Sequence, residues 1–478
     1  MLFNSIEYLL FLPFIFAIYW LANKKSLQLQ NVLLLISSYF FYACWDWRFL
    51  FLLIFSTALD YFTGIKMHEG KDQNSKKFWF WLSIGINLGF LGIFKYYNFF
   101  AASFADLLSD FGFQANFWTL QVILPVGISF YTFHGLSYVI DIYKNRIEPE
   151  RNVVTYSLFV SYFPLLVAGP IERATHLLPQ IKKRRIFSYD KAIDGIQQII
   201  WGLFKKIVIA DSCAIYANEI FEKYETSNSL TLLLGAIYFT FQIYGDFSGY
   251  SDIALGTSKL FGIDLLRNFN YPYFSRDIAE FWRRWHISLS SWFRDYLYFP
   301  LGGSRGGLLM KIRNTFIIFL VSGFWHGANW TFIVWGFLNA LYFMPLLLTN
   351  NNRNNIDIVA RGKVFPSIKE FIQMSFTFFL AVIAWIFFRS ATVNQALTYI
   401  KRIFSFTFKG GIQYLSIERY SVELLLLLFI FILFEWNSRA FEHPFFGKYK
   451  NIKMISIIML LMLLGVYSTA SDFIYFQF

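Results

Sequence analysis

The chain has 478 residues, 56% of them hydrophobic, 22% aromatic and only 15% charged, with a net charge of +12 and a mean hydropathy of +0.46. That balance excludes an ordinary water-soluble globular domain and predicts an all-α polytopic membrane protein. The positive charge requires no nucleic acid, because a positive-inside bias and attraction to anionic lipid head groups account for it.

Taken in chain order, the first apolar run, "SIEYLLFLPFIFAIYWLA" (5–22), is followed by Lys24 and Lys25. Charges after the run and no small-residue cleavage site before them predict a retained first helix with its N-terminus outside. Further apolar runs at 78–94, 371–388 and 452–468, and the pair around 315–348, approach or reach the ~20 residues needed to cross a bilayer. They do not alternate at period two, which disfavours a β-barrel. Roughly ten to twelve crossings are expected, with shorter segments re-entrant or interfacial. Asp106 and Asp110 lie in 104–113 without a basic residue, a pattern expected of a helix on the outer surface. Basic clusters at 66–77, 144–151, 180–185, 267–313, 353–363 and 448–453 mark the expected cytoplasmic loops. One continuous membrane domain, 1–478, is the economical organisation, since no solenoid-period repeat is evident.

Cys44 and Cys213 are far apart in apolar surroundings, so neither a disulfide framework nor a thiolate metal site is supported, and Cys44 reads as a small packing residue. Of six histidines, His68, His176 and His443 fall in charged or Pro-containing stretches and read as solvated. His134 reads as a packing histidine or a catalytic one. His286 lies in 277–303, where Phe281, Trp285, Leu289, Trp292 and Tyr296 recur at three- and four-residue spacing, as in an amphipathic helix at the cytoplasmic boundary. His326 lies in an apolar segment; on a continuous helix Ser322, His326, Asn329 and Trp330 would share a face, beside a Gly323/Gly327 strip. On spacing alone His326 is either a membrane-embedded general base or a core histidine satisfied by a neighbour. No Cys/His/Asp cluster has metal-ligand spacing, so no metal is expected. "QIYGDFSGYSDIALG" (242–256) places Asp246 and Asp252 among glycines in a segment expected to break and line a cavity or cation path. "VAGPIERATH" (167–176) puts a Gly-Pro bend before Glu172 and Arg173. Structural polar contacts are the first expectation for both stretches.

The blocks "FWRRWHISLSSWFRDYLYFPLGGSRGG" and "RNTFIIFLVSGFWHGANWTFIVWGFLNA" closely resemble the signature of the membrane-bound O-acyltransferase superfamily, in its bacterial alginate O-acetylation branch. "LPVGISFYTFHGLSYVIDIY", "AGPIER", "YGDFSGYSDIALG" and "WIFFRS" continue the likeness over most of the chain. The resemblance implies helices around a central tunnel, a catalytic histidine at His326 and a second at His286 nearer the cytoplasm. Asn329, Trp330, Trp325 and Ser322 would position the ring or wall the tunnel. It further implies acetyl-CoA as donor, its phosphates suited to a rim of Arg283, Arg284, Arg294, Arg305, Lys311 and Arg313, for which the positive-inside rule is the competing account. An extracytoplasmic polysaccharide acceptor, a periplasmic or membrane-tethered Ser-His-Asp esterase-type partner, and a bacterial inner-membrane location complete the implied picture. D-alanyl transfer to teichoic acid from a carrier-protein thioester, and a non-catalytic transporter or flippase, are the alternatives.

Overall fold

The computed structural model of the protein describes residues 1–22, 26–113, 125–166, 169–408, 411–412, 423–467 and 473–474. Lys24 and Lys25, residues 167 and 168 before the Gly-Pro bend, and the segment ends Leu124 and Ser468 lie outside the described residues. Every regular element among the described residues is helical. Among the described residues six helices are long and apolar enough to span a bilayer: Trp47–Glu69, Gln73–Asp110, Ser229–Leu260, Gly307–His326, Trp330–Leu348 and Ile368–Arg389. Four shorter apolar helices, Ile6–Leu21, Leu27–Ala43, Val153–Leu166 and Leu424–Ser438, extend the set. Helices suit such a chain because every interior N–H and C=O closes within its own segment.

The chain divides into two compact units, residues 1–196 with 254–266 and residues 197–253 with 267–478. In the first, residues 104–110 of the stretch expected as a surface helix are helical and continue the Gln73–Leu91 helix through a π-helical turn, Gly92–Tyr96, into Tyr97–Asp110. No proline or side-chain cap intervenes, so nothing stops propagation. Cys44 is exposed rather than packed, because it follows the end of Leu27–Ala43 as its C-cap. Buried Asp60 accepts hydrogen bonds from the Ser83 hydroxyl (2.6 Å) and the Asn87 amide (2.8 Å). Gly135 faces this carboxylate: a Cβ there would stand 1.9 Å from Asp60 Oδ2.

The "GPIER" bend is a structural knot. The Glu172 N–H donates to His134 Nε2 (3.1 Å), Glu172 Oε1 accepts the Leu266 N–H (2.6 Å), and Oε2 lies 2.8 Å from His176 Nδ1. His134 is therefore a packed, hydrogen-bonded histidine, and His176, expected to be solvated, is held by a carboxylate. That carboxylate raises the His176 pKa above its usual value.

Ser229–Leu260, of which residues 229–253 belong to the second unit, is one unbroken helix, contrary to the break expected in 242–256. The glycines serve close approach instead of bending: Cβ atoms at Gly245 and Gly249 would lie 2.9 Å from the Lys205 carbonyl oxygen and 2.7 Å from that of Gly202. The same contact pairs the charges. Lys206 Nζ lies 2.8 Å from both Asp211 Oδ1 and Asp246 Oδ1, the Ile474 N–H donates to Asp246 Oδ2 (2.6 Å), and Lys205 pairs with Asp252. Both carboxylates, Asp246 and Asp252, are thus engaged by buried lysines.

Two outcomes check this account. Gly135→Ala should lower stability by about 1–3 kcal/mol, since the added methyl collides with a fixed carboxylate, and a thermal-unfolding series in detergent reads it. Because the folded His176 pKa is raised, its contribution should be full below the unfolded value of about 6.5 and fade as pH rises through the folded one, with His176→Ala flattening that limb.

Candidate active site

His286 stands where the expected amphipathic helix of 277–303 breaks. The chain forms Ile278–Arg284, turns at Trp285 and His286, and resumes as Ile287–Phe293 followed by a π-helical turn, Arg294–Tyr298. The turn is fixed from both sides. Glu280, buried, takes Arg284 and Arg276 into ion pairs at 2.8 and 3.0 Å, and the Ile287 N–H donates to the Asn268 carbonyl oxygen (2.9 Å). His286 adopts a left-handed backbone, φ 44°, ψ 55°, a conformation that side-chain-bearing residues rarely hold unless surroundings impose it. Its Nδ1 lies 3.3 Å from Asn268 Oδ1, which also accepts the Ser288 hydroxyl (2.6 Å). With Nδ1–H donating to Asn268, Nε2 is left as the acceptor, and it has no hydrogen-bond partner among the described residues. Burial pushes the His286 pKa down to about 3, so the ring is neutral at physiological pH.

His326 ends the helix Gly307–His326. The chain leaves it through an extended Gly327 (φ −170°, ψ 158°), and Asn329 caps the next helix, Trp330–Leu348, by accepting the Thr331 N–H (3.0 Å). The expected continuous polar face therefore does not form. Ser322 lies buried one turn before His326, whereas Asn329 also donates to the Ala391 carbonyl oxygen (2.9 Å) and Trp330 is 57% exposed. Asn329 captures a backbone N–H more favourably as a cap than inside a helix, which is why the break falls there. The glycine strip is realised: a Cβ at Gly323 would be 2.2 Å from the Phe332 carbonyl oxygen, and one at Gly327 2.2 Å from the Phe332 ring.

Aromatic rings bring the two histidines together. Trp325 lies between them, its ring centroid 5.9 Å from His286 and 4.8 Å from His326. His326 meets Trp335 (5.0 Å) and Phe388 (5.2 Å) edge to face, and Trp335 stacks on Trp385, which contacts Trp285. Phe247 meets His286 edge to face at 4.7 Å. Both imidazoles are at least 95% buried. An imidazole in such a dry, apolar enclosure can take a proton from a hydroxyl without competition from bulk water.

The expected cationic rim divides. Arg283 donates to the carbonyl oxygens of Asn352 and Asn355, Arg284 is taken by Glu280 and backbone carbonyls, and Arg313 donates to the Leu301 carbonyl oxygen and Asn314. Arg305 is exposed and lines no cavity described. Arg294 and Lys311, by contrast, line a cavity of about 510 Å³ together with Arg353, Ser290 and Tyr298. Phe319 forms part of its wall and packs on Trp282, which packs on Trp335 beside His326. Asn268 was not singled out in the sequence, Trp335 and Phe388 stood there only as parts of the family-like blocks and Arg353 only as the start of a basic cluster; packing assigns each to the site. Among the described residues no group of three His, Cys, Asp or Glu side chains is placed to hold a metal.

Since the unfolded His286 binds a proton near pH 6.5 and the folded ring does not until about pH 3, stability should fall as pH drops below 6.5, by about 1.4 kcal/mol per unit. Urea unfolding at stepped pH should show that slope, and His286→Asn should remove it.

A family model for MBOAT, the membrane-bound O-acyltransferase family, matches residues 150–388. The chain is 38% identical over 408 residues to "Probable alginate O-acetylase AlgI" of Pseudomonas aeruginosa, covering 85% of this chain and 75% of that one. It is 35% identical over 430 residues to a peptidoglycan O-acetyltransferase of Helicobacter pylori, covering 84% and 79%. Similarity to a teichoic acid D-alanyltransferase of Bacillus subtilis is 29% over 230 residues, 46% of this chain and 58% of that one. The chain belongs to the membrane-bound O-acyltransferase family and is a multi-pass membrane acyltransferase.

Proposed function

We propose that the protein transfers acetyl groups from cytoplasmic acetyl-CoA toward O-acetylation of an extracytoplasmic envelope polysaccharide, with His326 as the general base. The observation that carries this reading is the enclosure of His326 by Trp325, Trp335 and Phe388 at a helix end, a buried imidazole that its surroundings isolate from water. The His326 ring takes the proton from an acceptor hydroxyl as the hydroxyl oxygen attacks the thioester carbonyl. Collapse of the tetrahedral adduct breaks the C–S bond, and the departing CoA thiolate recovers the proton. His286, oriented by Asn268 on the other side of Trp325, serves as a second polar contact on the approach.

The donor's phosphates fit the cavity lined by Arg294, Lys311 and Arg353, where one wall leads through Phe319, Trp282 and Trp335 to His326. The breadth of likeness to alginate and peptidoglycan O-acetylating relatives favours acetyl over D-alanyl transfer, whose relative matches less than half of the chain. A transporter without chemistry loses its supporting feature, since 242–256 is an unbroken helix. A bacterial inner-membrane location, with a separate esterase-type acetyltransferase completing delivery to the polymer, is the arrangement that matches a cytoplasmic donor and an outside acceptor.

Purified protein with labelled acetyl-CoA tests the assignment. His326→Ala should cut acetyl turnover roughly 100- to 10,000-fold with thermal stability retained, and unchanged turnover would overturn the role of His326. Lys311→Ala with Arg353→Ala should raise KM for acetyl-CoA about ten-fold or more while kcat stays close to that of the parent.

A further inference from the structure

The second unit holds a cavity of about 360 Å³ outside the histidine site, formed by Ser229–Leu260, Ile368–Arg389 and Glu423–Ser438 with residues 273–274. Its walls are almost wholly apolar and include Phe241, Phe371, Phe378, Phe431 and Ile432. One charged residue interrupts them. Glu435 is 4% exposed; its Oε2 accepts the Tyr244 hydroxyl (2.6 Å), while Oε1 has no hydrogen-bond partner among the described residues. The nearby ammonium of Lys205 is already paired with Asp252, and the Tyr273 hydroxyl donates to the Thr240 carbonyl oxygen (2.7 Å). A buried carboxyl oxygen left without a hydrogen-bond partner in an apolar wall is costly unless a ligand supplies one.

We propose that this cavity binds a neutral membrane lipid through a free hydroxyl group, whose O–H donates to Glu435 Oε1 while its aliphatic chain lies along the phenylalanine walls. The lining chooses this chemistry. Among the described residues no cation lines the cavity to neutralise a phosphate, which disfavours a phospholipid head group. An ammonium would bring three donors to one vacant acceptor, whereas a hydroxyl brings one. A long-chain alcohol and a diacylglycerol share this chemistry, and their relative potency as competitors separates them. The inference does not depend on the acetyl-transfer reading, because none of the residues assigned to that reaction lines the cavity.

The test uses the full chain in phosphatidylcholine nanodiscs and a diazirine-bearing tetradecanol, with crosslinked residues mapped by mass spectrometry. Saturable labelling of residues on Ile368–Arg389 and Glu423–Ser438 is expected, competed by tetradecanol or dioleoylglycerol and not by tetradecane. Glu435→Leu, which removes the acceptor, should lower labelling about ten-fold. Ile432→Trp, which fills the cavity and leaves Glu435 and Tyr244 in place, should do the same without touching the ion pairs. Labelling that tetradecane competes equally, or that survives Ile432→Trp, would overturn the proposal and leave the cavity as an ordinary lipid-facing groove.

Discussion

A polar group that folds into an apolar chain must find its partner inside the protein, because neither lipid nor a phenylalanine wall will hydrogen-bond to it. This requirement organises both units. Glu172 resolves it by gathering a backbone N–H, a histidine ring and its own N–H onto one bend. Lys206 resolves it with two aspartates from different turns, and Glu280 by bracing two arginines. Each solution also fixes backbone, so the residues that are expensive to bury are those that determine where the chain turns. The glycines at 135, 202, 245 and 249 belong to the same scheme, since without a Cβ they let a carboxylate or a neighbouring backbone come close enough for the pairing to form.

The histidine pair departs from that pattern in an informative way. Its walls are tryptophan and phenylalanine rings, which enclose the imidazoles by edge-to-face contact. Asn268 acts on the Nδ1 side of His286 and so selects which ring nitrogen is left as acceptor. A rigid aromatic shell with few polar groups keeps such a site dry, and dryness strengthens whatever electrostatic interaction a substrate brings.

The helical membrane class was legible from composition, and the two histidine-bearing blocks were legible as likenesses before any coordinates. The helix interruptions were not. Periodicity in 277–303 and 322–330 counted apolar spacing, which carries across a one- or two-residue break, and could not weigh the capping by Asn329 or the Asn268 contact that opens the turn at His286. In 242–256 the opposite error arose: glycines and aspartates read as a break because their partners lie forty residues earlier, on the stretch from Gly202 to Asp211. Sequence separation hides such partners; the charge types alone announced that partners must exist. The basic rim was legible as a cluster, yet only packing separates the arginines consumed by carbonyl oxygens from the three cations that line a cavity.

The left-handed backbone at His286 bears on how that position can be read by substitution. Asparagine and glycine enter this region of conformational space with little strain, whereas a β-branched residue resists it. Replacement by valine or threonine would therefore disturb the turn that sets the Ile278–Arg284 and Ile287–Phe293 helices, and a lost activity would report geometry and chemistry together. Asparagine preserves the turn while deleting the imidazole, so at this one position the backbone itself dictates which substitution isolates the ring.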